Sequence, residues 1–317
     1  MPNHILVPLD GSSSAEYAIP HAAAIAKAFD AEITLLNVLE QPSASLRMPK
    51  ADPLDWYLKK SEAETYLNAM KARLEKSHLS VKTVLLEGRA TEQIVELAHT
   101  GNVDLVILSS HGGYDANGWA MSSILQQILQ QIGTSALIIR ANDSAAIPTT
   151  DLHYQRLLVP LDGSRRAGSA LPMATALAQA HQAELLLVQV VSKPEMARHM
   201  PLTQEDEDLM NRIVERNQDE GNKYLEQLKD QLPTNVQTRL LVSDNVAATL
   251  QNLSEQEQID LLIMSAHGYS GEAKWPYGGV ANRFITDGTV PLLIVQDLPH
   301  KSSEALQGYV TFGQSVR

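Results

Sequence analysis

The hexapeptide VPLDGS occurs at Val7–Ser12 and again, letter for letter, at Val159–Ser164, an offset of 152 residues (159 − 7). No other feature constrains the fold of this chain as strongly. An identity that includes Pro, Asp and Gly marks a repeated strand-to-loop corner, and the segments around the two copies repeat as well. In the first half HILVPLD reads as a strand, SSSAEYAIPHAAAIAKAF as a helix and EITLLNV as a buried strand. After a Pro-containing insert come the helix LDWYLKKSEAETYLNAMKARLEKS, the strand VKTVLLE, the helix TEQIVELAHT and the strand DLVILSS. The loop HGGYDANGWAM then leads to the helix SSILQQILQQI and the strand SALIIR. The second half runs through the same series from RLLVPLD to PLLIVQD.

Near-continuous apolar strands alternating with helices predict parallel sheets covered on both faces. The fold class is α/β: two tandem five-stranded, open-twisted, Rossmann-like domains. The expected boundaries are 1–141 for the first domain, 142–155 for a Pro/Ser/Thr-rich linker, 156–297 for the second domain and 298–317 for a polar tail. At 317 residues the chain has room for about two cores. Pro20 and Pro172 each stand ten residues beyond the Asp of the hexapeptide, within the first helix of each half. Proline removes a helix hydrogen bond, so both helices are expected to kink there.

Composition narrows the function. A net charge of −12 argues against a nucleic-acid or anionic-membrane partner, which would need clustered Lys and Arg. The absence of cysteine excludes disulfides, thiolate catalysis and zinc–thiolate sites. No apolar run approaches the ~20 residues of a membrane span, and MPNHILVPLD does not read as a signal peptide. A cytoplasmic protein is the expectation.

In VPLD the proline has no amide hydrogen for the ladder and belongs at a strand end. The Asp–Gly pair makes the turn, and the serines that follow can cap a helix. Ligands of open parallel sheets bind at the carboxyl ends of the strands, where the strand order reverses. Asp10 and Asp162 therefore either contact a ligand or only shape the turn. The second informative stretch follows the fourth strand, as SSHGGYDANGWAMSS and MSAHGYSGEAKWPYGG. No GxxxxGK(S/T) phosphate loop occurs in the chain.

A strand-end VPLDGS, then (S/G)xHG, nine residues and a small pair opening a helix resembles the universal stress protein family, and the resemblance covers both halves. It implies a sheet order of 3-2-1-4-5 and a stress-response protein that binds adenine nucleotide, with at most slow hydrolysis. In nucleotide-binding members the loop reads Gly-x-x-Gly, nine residues, Gly and Ser or Thr. Backbone amides and glycines at a helix start let the chain approach an anion closely. Carried over, Pro160, Asp162, Val190, Ser265, His267, Gly268, Gly278 and Gly279 would form a site for ATP with Mg²⁺. Asp162 would meet the nucleoside, the Val190 backbone the adenine edge, and the glycines the phosphates. The first-half counterparts are Asp10, Val38, Gly112, Ser122 and Ser123.

The halves differ in this motif. The second keeps Gly268 and Gly278 with Ser265 in place of the first glycine, whereas the first keeps only Gly112. The second has Lys274 in the loop, offset by Glu272, and Arg283 on the next helix. The first has Asp115 and no Lys or Arg between Arg89 and Arg140. ATP is therefore expected mainly in the second domain. His111 and His267 read as loop-shaping or ligand-contacting imidazoles, because no nucleophile or Ser–His–Asp set accompanies them. The acidic run at Glu205–Met210 reads as a helix start. Family members pair through their last strands, so the resemblance also implies an internal pseudo-dimer of the two domains and allows a homodimer. Two alternatives stay open: an interaction or signalling scaffold of the same fold that binds no nucleotide, and a slow ATP hydrolase.

Overall fold

The first half folds as β1 (His4–Pro8), α1 (Ser13–Glu16), α2 (Ala18–Phe29), β2 (Glu32–Leu39), α3 (Pro53–Glu75), β3 (Val81–Glu87), α4 (Ala90–Thr100), β4 (Leu105–Ser109), α5 (Ser123–Gln131) and β5 (Ser135–Ile139). The second half gives β6 (Arg156–Leu161), a 3-10 turn (Ala167–Ala170), α6 (Leu171–His181), β7 (Glu184–Val191), α7 (Gln204–Gln231), β8 (Val236–Val242), α8 (Val246–Gln256), β9 (Leu261–Ser265), α9 (Gly279–Asp287) and β10 (Leu292–Val295). These elements come from a computed structural model that describes residues 1–40, 53–110, 123–140, 151–194, 203–269 and 276–297.

The chain divides into two units, with the boundary between Leu152 and His153. Within the first, the strands lie in the order β3-β2-β1-β4-β5, and within the second β8-β7-β6-β9-β10. Both read 3-2-1-4-5, and every pairing within a unit is parallel. The central strands are buried on both faces because helices cover both, which is why Ile5–Val7 and Leu157–Val159 form unbroken apolar runs. The outer strands β3 and β8 are mostly half-buried or exposed beyond a buried first residue.

The duplication extends to single hydrogen bonds. Asp104 Oδ2 accepts from the amides of Asn3 and His4 at 2.7 and 3.1 Å, and Asp260 Oδ2 accepts from Gln155 and Arg156 at 2.6 and 2.8 Å. Each carboxylate thus fixes the start of its domain's first strand against the start of the fourth. At the opposite end, Gly11 and Gly163 take φ of 83° and 78°, the left-handed region where a side chain is strained. The Ser12 and Ser164 hydroxyls each accept an amide three residues on, from Ala15 and Ala167, at 3.1 Å.

Each proline follows a break in the helical run rather than standing inside one continuous helix. Pro20 is the third residue of α2 and Pro172 the second of α6, each preceded by a separate short helical segment. In the first turn of a helix the amide has no intrahelical acceptor, so the missing N–H costs nothing there. The acidic run opens α7, where Thr203 and Asp206 form a reciprocal capping box. Among the described residues no helix is long and apolar enough to cross a membrane.

Candidate functional site

The crevice at the carboxyl ends of β6 and β9 is built by three corners. The first is the turn after β6, where Asp162 Oδ1 accepts the Ser164 amide at 2.9 Å. Its Oδ2 reaches across to accept the Tyr269 amide at 2.6 Å, which ties the turn to the loop after β9. The two sequence readings of Asp162 are therefore both compatible with its place: it shapes the turn, and it lines the crevice. The second corner is Ser265–Gly268, in which the Ser265 hydroxyl donates to the His267 carbonyl at 2.5 Å. The third is the start of α9, where the Gly278 amide donates to the Ala266 carbonyl at 2.8 Å.

Together they enclose a cavity of ≈ 230 Å³. Pro160, Asp162, Val190, Ser265, His267, Gly268, Gly278 and Gly279 all line it. Val188, Val246, Leu250 and Met264 supply apolar wall, which sequence reasoning did not assign. Gly278 is the N-cap of α9 with φ −70° and ψ 168° and makes no side-chain cap bond. The positive end of the helix is thus presented to the cavity without a capping side chain. Asp162 is the one acidic lining side chain among the described residues.

The glycines are not equivalent. A Cβ on Gly268 would collide with Asp162 Oδ2, so the close approach of loop and carboxylate requires glycine there. A Cβ on Gly278 would meet its nearest atom, the Ala266 carbonyl oxygen, at an ordinary 3.5 Å, and one on Gly279 meets nothing within 4 Å. Arg283 lies 2.8 Å from Asp287 on the exposed side of α9 and does not line the cavity. Its charge, counted toward the loop from the sequence, is paired four residues along its own helix.

Tyr277 is half-buried, and the burial of its hydroxyl pushes the pKa up. Tyr224 is raised first by burial and then by the Asp162 charge. In the first domain Tyr66 is raised first by burial and then by the nearby Glu16 and Asp10 carboxylates. Asp10 Oδ1 accepts the Ser12 amide and hydroxyl at 2.9 and 2.5 Å. Val38 stands near the end of β2 and Ser123 opens α5. Gly112, Ser122, His111, Asp115, Trp119, Glu272, Lys274 and Trp275 lie outside the described residues.

Two residues near the second-domain site escaped the sequence reading. His267 Nδ1 lies 2.8 Å from Asp297 Oδ1, and Arg166 Nε lies 3.5 Å from Asp297 Oδ2. The available signal was the repeat itself, because GSRRAG replaces GSSSAE and VQD replaces IRA.

Compared with known proteins, the chain matches the universal stress protein family over residues 1–140 and again over 153–296. It is 28% identical over 137 residues to a universal stress protein of Methanocaldococcus jannaschii, covering 43% of this chain and 81% of that protein. The crystal structure of a universal stress protein from Archaeoglobus fulgidus aligns with 93% of this chain and 99% of its own, at TM-score 0.65 and 17% identity. A universal stress protein solved in complex with cAMP aligns with 44% of this chain at TM-score 0.36 and 19% identity. Two family matches that together span most of the residues, on two domains of one topology, establish that this chain belongs to the universal stress protein family and carries its domain twice.

Proposed function

We propose that the protein binds an adenine nucleotide, ATP, in the second domain, as a cytoplasmic stress-response protein. One observation carries the reading: a mostly apolar cavity at the strand-order reversal is closed at one end by the uncapped amino terminus of α9. Apolar side chains at Val188, Val190, Val246 and Leu250 suit a flat base. Asp162 suits a ribose hydroxyl, since each carboxylate oxygen keeps acceptor capacity beyond its one amide. The Gly278–Gly279 turn suits phosphates. Mg²⁺ would arrive with the triphosphate, which supplies the anionic oxygens that this cation prefers. Hydrolysis is at most slow, because the His267 side chain is buried against Asp297. The pairing of the two domains and any homodimer belong to the same proposal, and light scattering on the purified chain reads the latter.

Calorimetry with Mg-ATP, Mg-ADP and cAMP on the full-length chain tests the reading. One nucleotide site per chain is expected, and Gly279→Val should abolish it without lowering the melting temperature, since its Cβ enters open space. Wild-type affinity in that variant, or no binding by the parent chain, would remove the proposal. The second outcome would favour the scaffold reading, which the exposed Leu54, Tyr57 and Leu58 of α3 support.

A further inference from the structure

Three side chains from three different strand ends meet at the carboxyl edge of the second domain. Arg166 follows β6, His267 follows β9 and Asp297 follows β10. The His267 and Asp297 side chains are 0% and 1% exposed, with Nδ1 and Oδ1 2.8 Å apart. The other Asp297 oxygen is buried, has no hydrogen-bond partner, and faces Arg166 Nε at 3.5 Å. In an aliphatic core such an arrangement is costly: taking a carboxylate and an imidazole out of water is repaid only by good pairing geometry. An apolar trio would hold the strands together at least as well, so what the polar trio adds is a defined geometry.

That geometry acts on the loop. His267 immediately precedes Gly268, and its carbonyl accepts the Ser265 hydroxyl. The residue before it, Ala266, accepts the Gly278 amide, and two residues on, the Tyr269 amide donates to Asp162. Fixing the imidazole therefore fixes the peptide units that face the cavity from both ends of the loop.

The first-domain sequence has the histidine but other residue types at the positions aligned with Asp297 and Arg166. The ladder pairs Ser265 with Val295 and Ser109 with Ile139, so Asp297 corresponds to Ala141. The hexapeptide alignment sets Arg166 against Ser14, while His267 corresponds to His111. Neither alanine nor serine can supply the charge.

We propose that Asp297, held by Arg166, is a positioning residue: through His267 it pre-sets the backbone at Ala266–Tyr269 and Gly278, using side chains whose aligned first-domain residues are Ala141 and Ser14. This rests on the nucleotide reading above, and it supplies a reason for one domain to bind and the other not that is independent of the glycine count. The histidine acts here as an anchor for its own backbone rather than as a base.

The test uses the full-length protein with Asp297→Ala and Arg166→Ser, which install the first domain's residues. Amide hydrogen exchange should accelerate about tenfold at Tyr269 and Gly278, while amides of β6 and β7 keep their parental rates. Mg-ATP affinity should fall about tenfold, because a loop that is no longer pre-organised must be ordered on binding. Asp297→Asn keeps an acceptor for Nδ1 and should restore most of the protection. If Asp297→Ala does not fold, Arg166→Ser, altered at a partly exposed side chain, carries the test. Parental exchange at Tyr269 and Gly278, or acceleration spread evenly over the sheet, would overturn the inference. So would unchanged affinity in both variants. Failure of the parent chain to bind any adenine nucleotide would remove the nucleotide reading instead, and the exchange rates would still decide whether these three side chains set the loop.

Discussion

Replacing Gly268 by alanine places a methyl group where the Asp162 carboxylate now stands. The carboxylate cannot simply withdraw, because Oδ1 holds the Ser164 amide at 2.9 Å and Oδ2 the Tyr269 amide at 2.6 Å. Relief comes in one of two ways. The loop can shift, at the roughly 1–3 kcal/mol typical of overpacking a well-packed site. Alternatively the Tyr269 bond breaks, and a hydrogen bond to a charged acceptor contributes about 1.5–3 kcal/mol. Either route destabilises the second domain by about 2 kcal/mol, a fall of several degrees in its melting transition for a domain of this size. Gly278→Ala is the matched control. Its backbone conformation is ordinary for any residue and its new methyl group meets only van der Waals contacts, so the change should stay within about 0.5 kcal/mol. Scanning calorimetry of the full-length variants reads both. A double-mutant cycle with Asp162→Ala isolates the contact, because removing the carboxylate should relieve most of the alanine's penalty. Additivity within about 0.3–0.5 kcal/mol would refute the contact, as would equal damage from the two glycine variants.

Burial of His21 in α2 lowers its pKa from 6.5 to about 4. As the pH falls through that window the unfolded chain takes up the proton first, so the first domain should lose stability from about pH 6.5 downward and reach the full loss below about pH 4. The size is up to about 3 kcal/mol. Urea denaturation at pH 7 and pH 4.5 should show the loss, and His21→Leu should reduce it; an identical pH dependence in the variant would count against burial as the cause. Gln182 and Asp30 end their helices with φ of 54° and 53°, so Gln182→Gly and Asp30→Gly should each raise stability by about 0.5–1 kcal/mol in the same assay.

The fold was legible because its strands are buried on both faces and carry unbroken apolar runs, and because the corner after the first strand is spelled twice. The second-domain crevice was legible where its backbone needs glycine, at Gly163 and Gly268, whereas Gly278 and Gly279 have room for a side chain. Other features required three-dimensional register. The two prolines looked like kinks, since a sequence pattern merges each short leading segment with the helix that follows, across Tyr17 in one half and Ala170 in the other. Arg283 sat four residues beyond Gly279 in sequence, yet its partner proved to be Asp287 on the same helix. Asp297 is a single acid two positions past a strand; the repeat sets Ala141 against it, but only the structure shows that it meets His267 and Arg166. Asp104 and Asp260 were hidden within runs read simply as strand, although their carboxylates anchor the opposite end of each sheet.

The bond from the Tyr269 amide to Asp162 has a thermodynamic consequence. The crevice already contains an anion, and it belongs to the chain. A ligand phosphate aimed at that amide would face a resident carboxylate and would have to exchange with it rather than add to it, with mutual repulsion opposing the exchange. A hydroxyl donor meets no such competition, because it can join the carboxylate and leave the amide bond intact. On the proposed nucleotide reading, the turn after β6 would act as a filter by polarity: it would receive the sugar side of the ligand and leave charged groups to the amino terminus of α9. Binding heats measured at this site would accordingly be differences between two satisfied states, small even where the affinity is high.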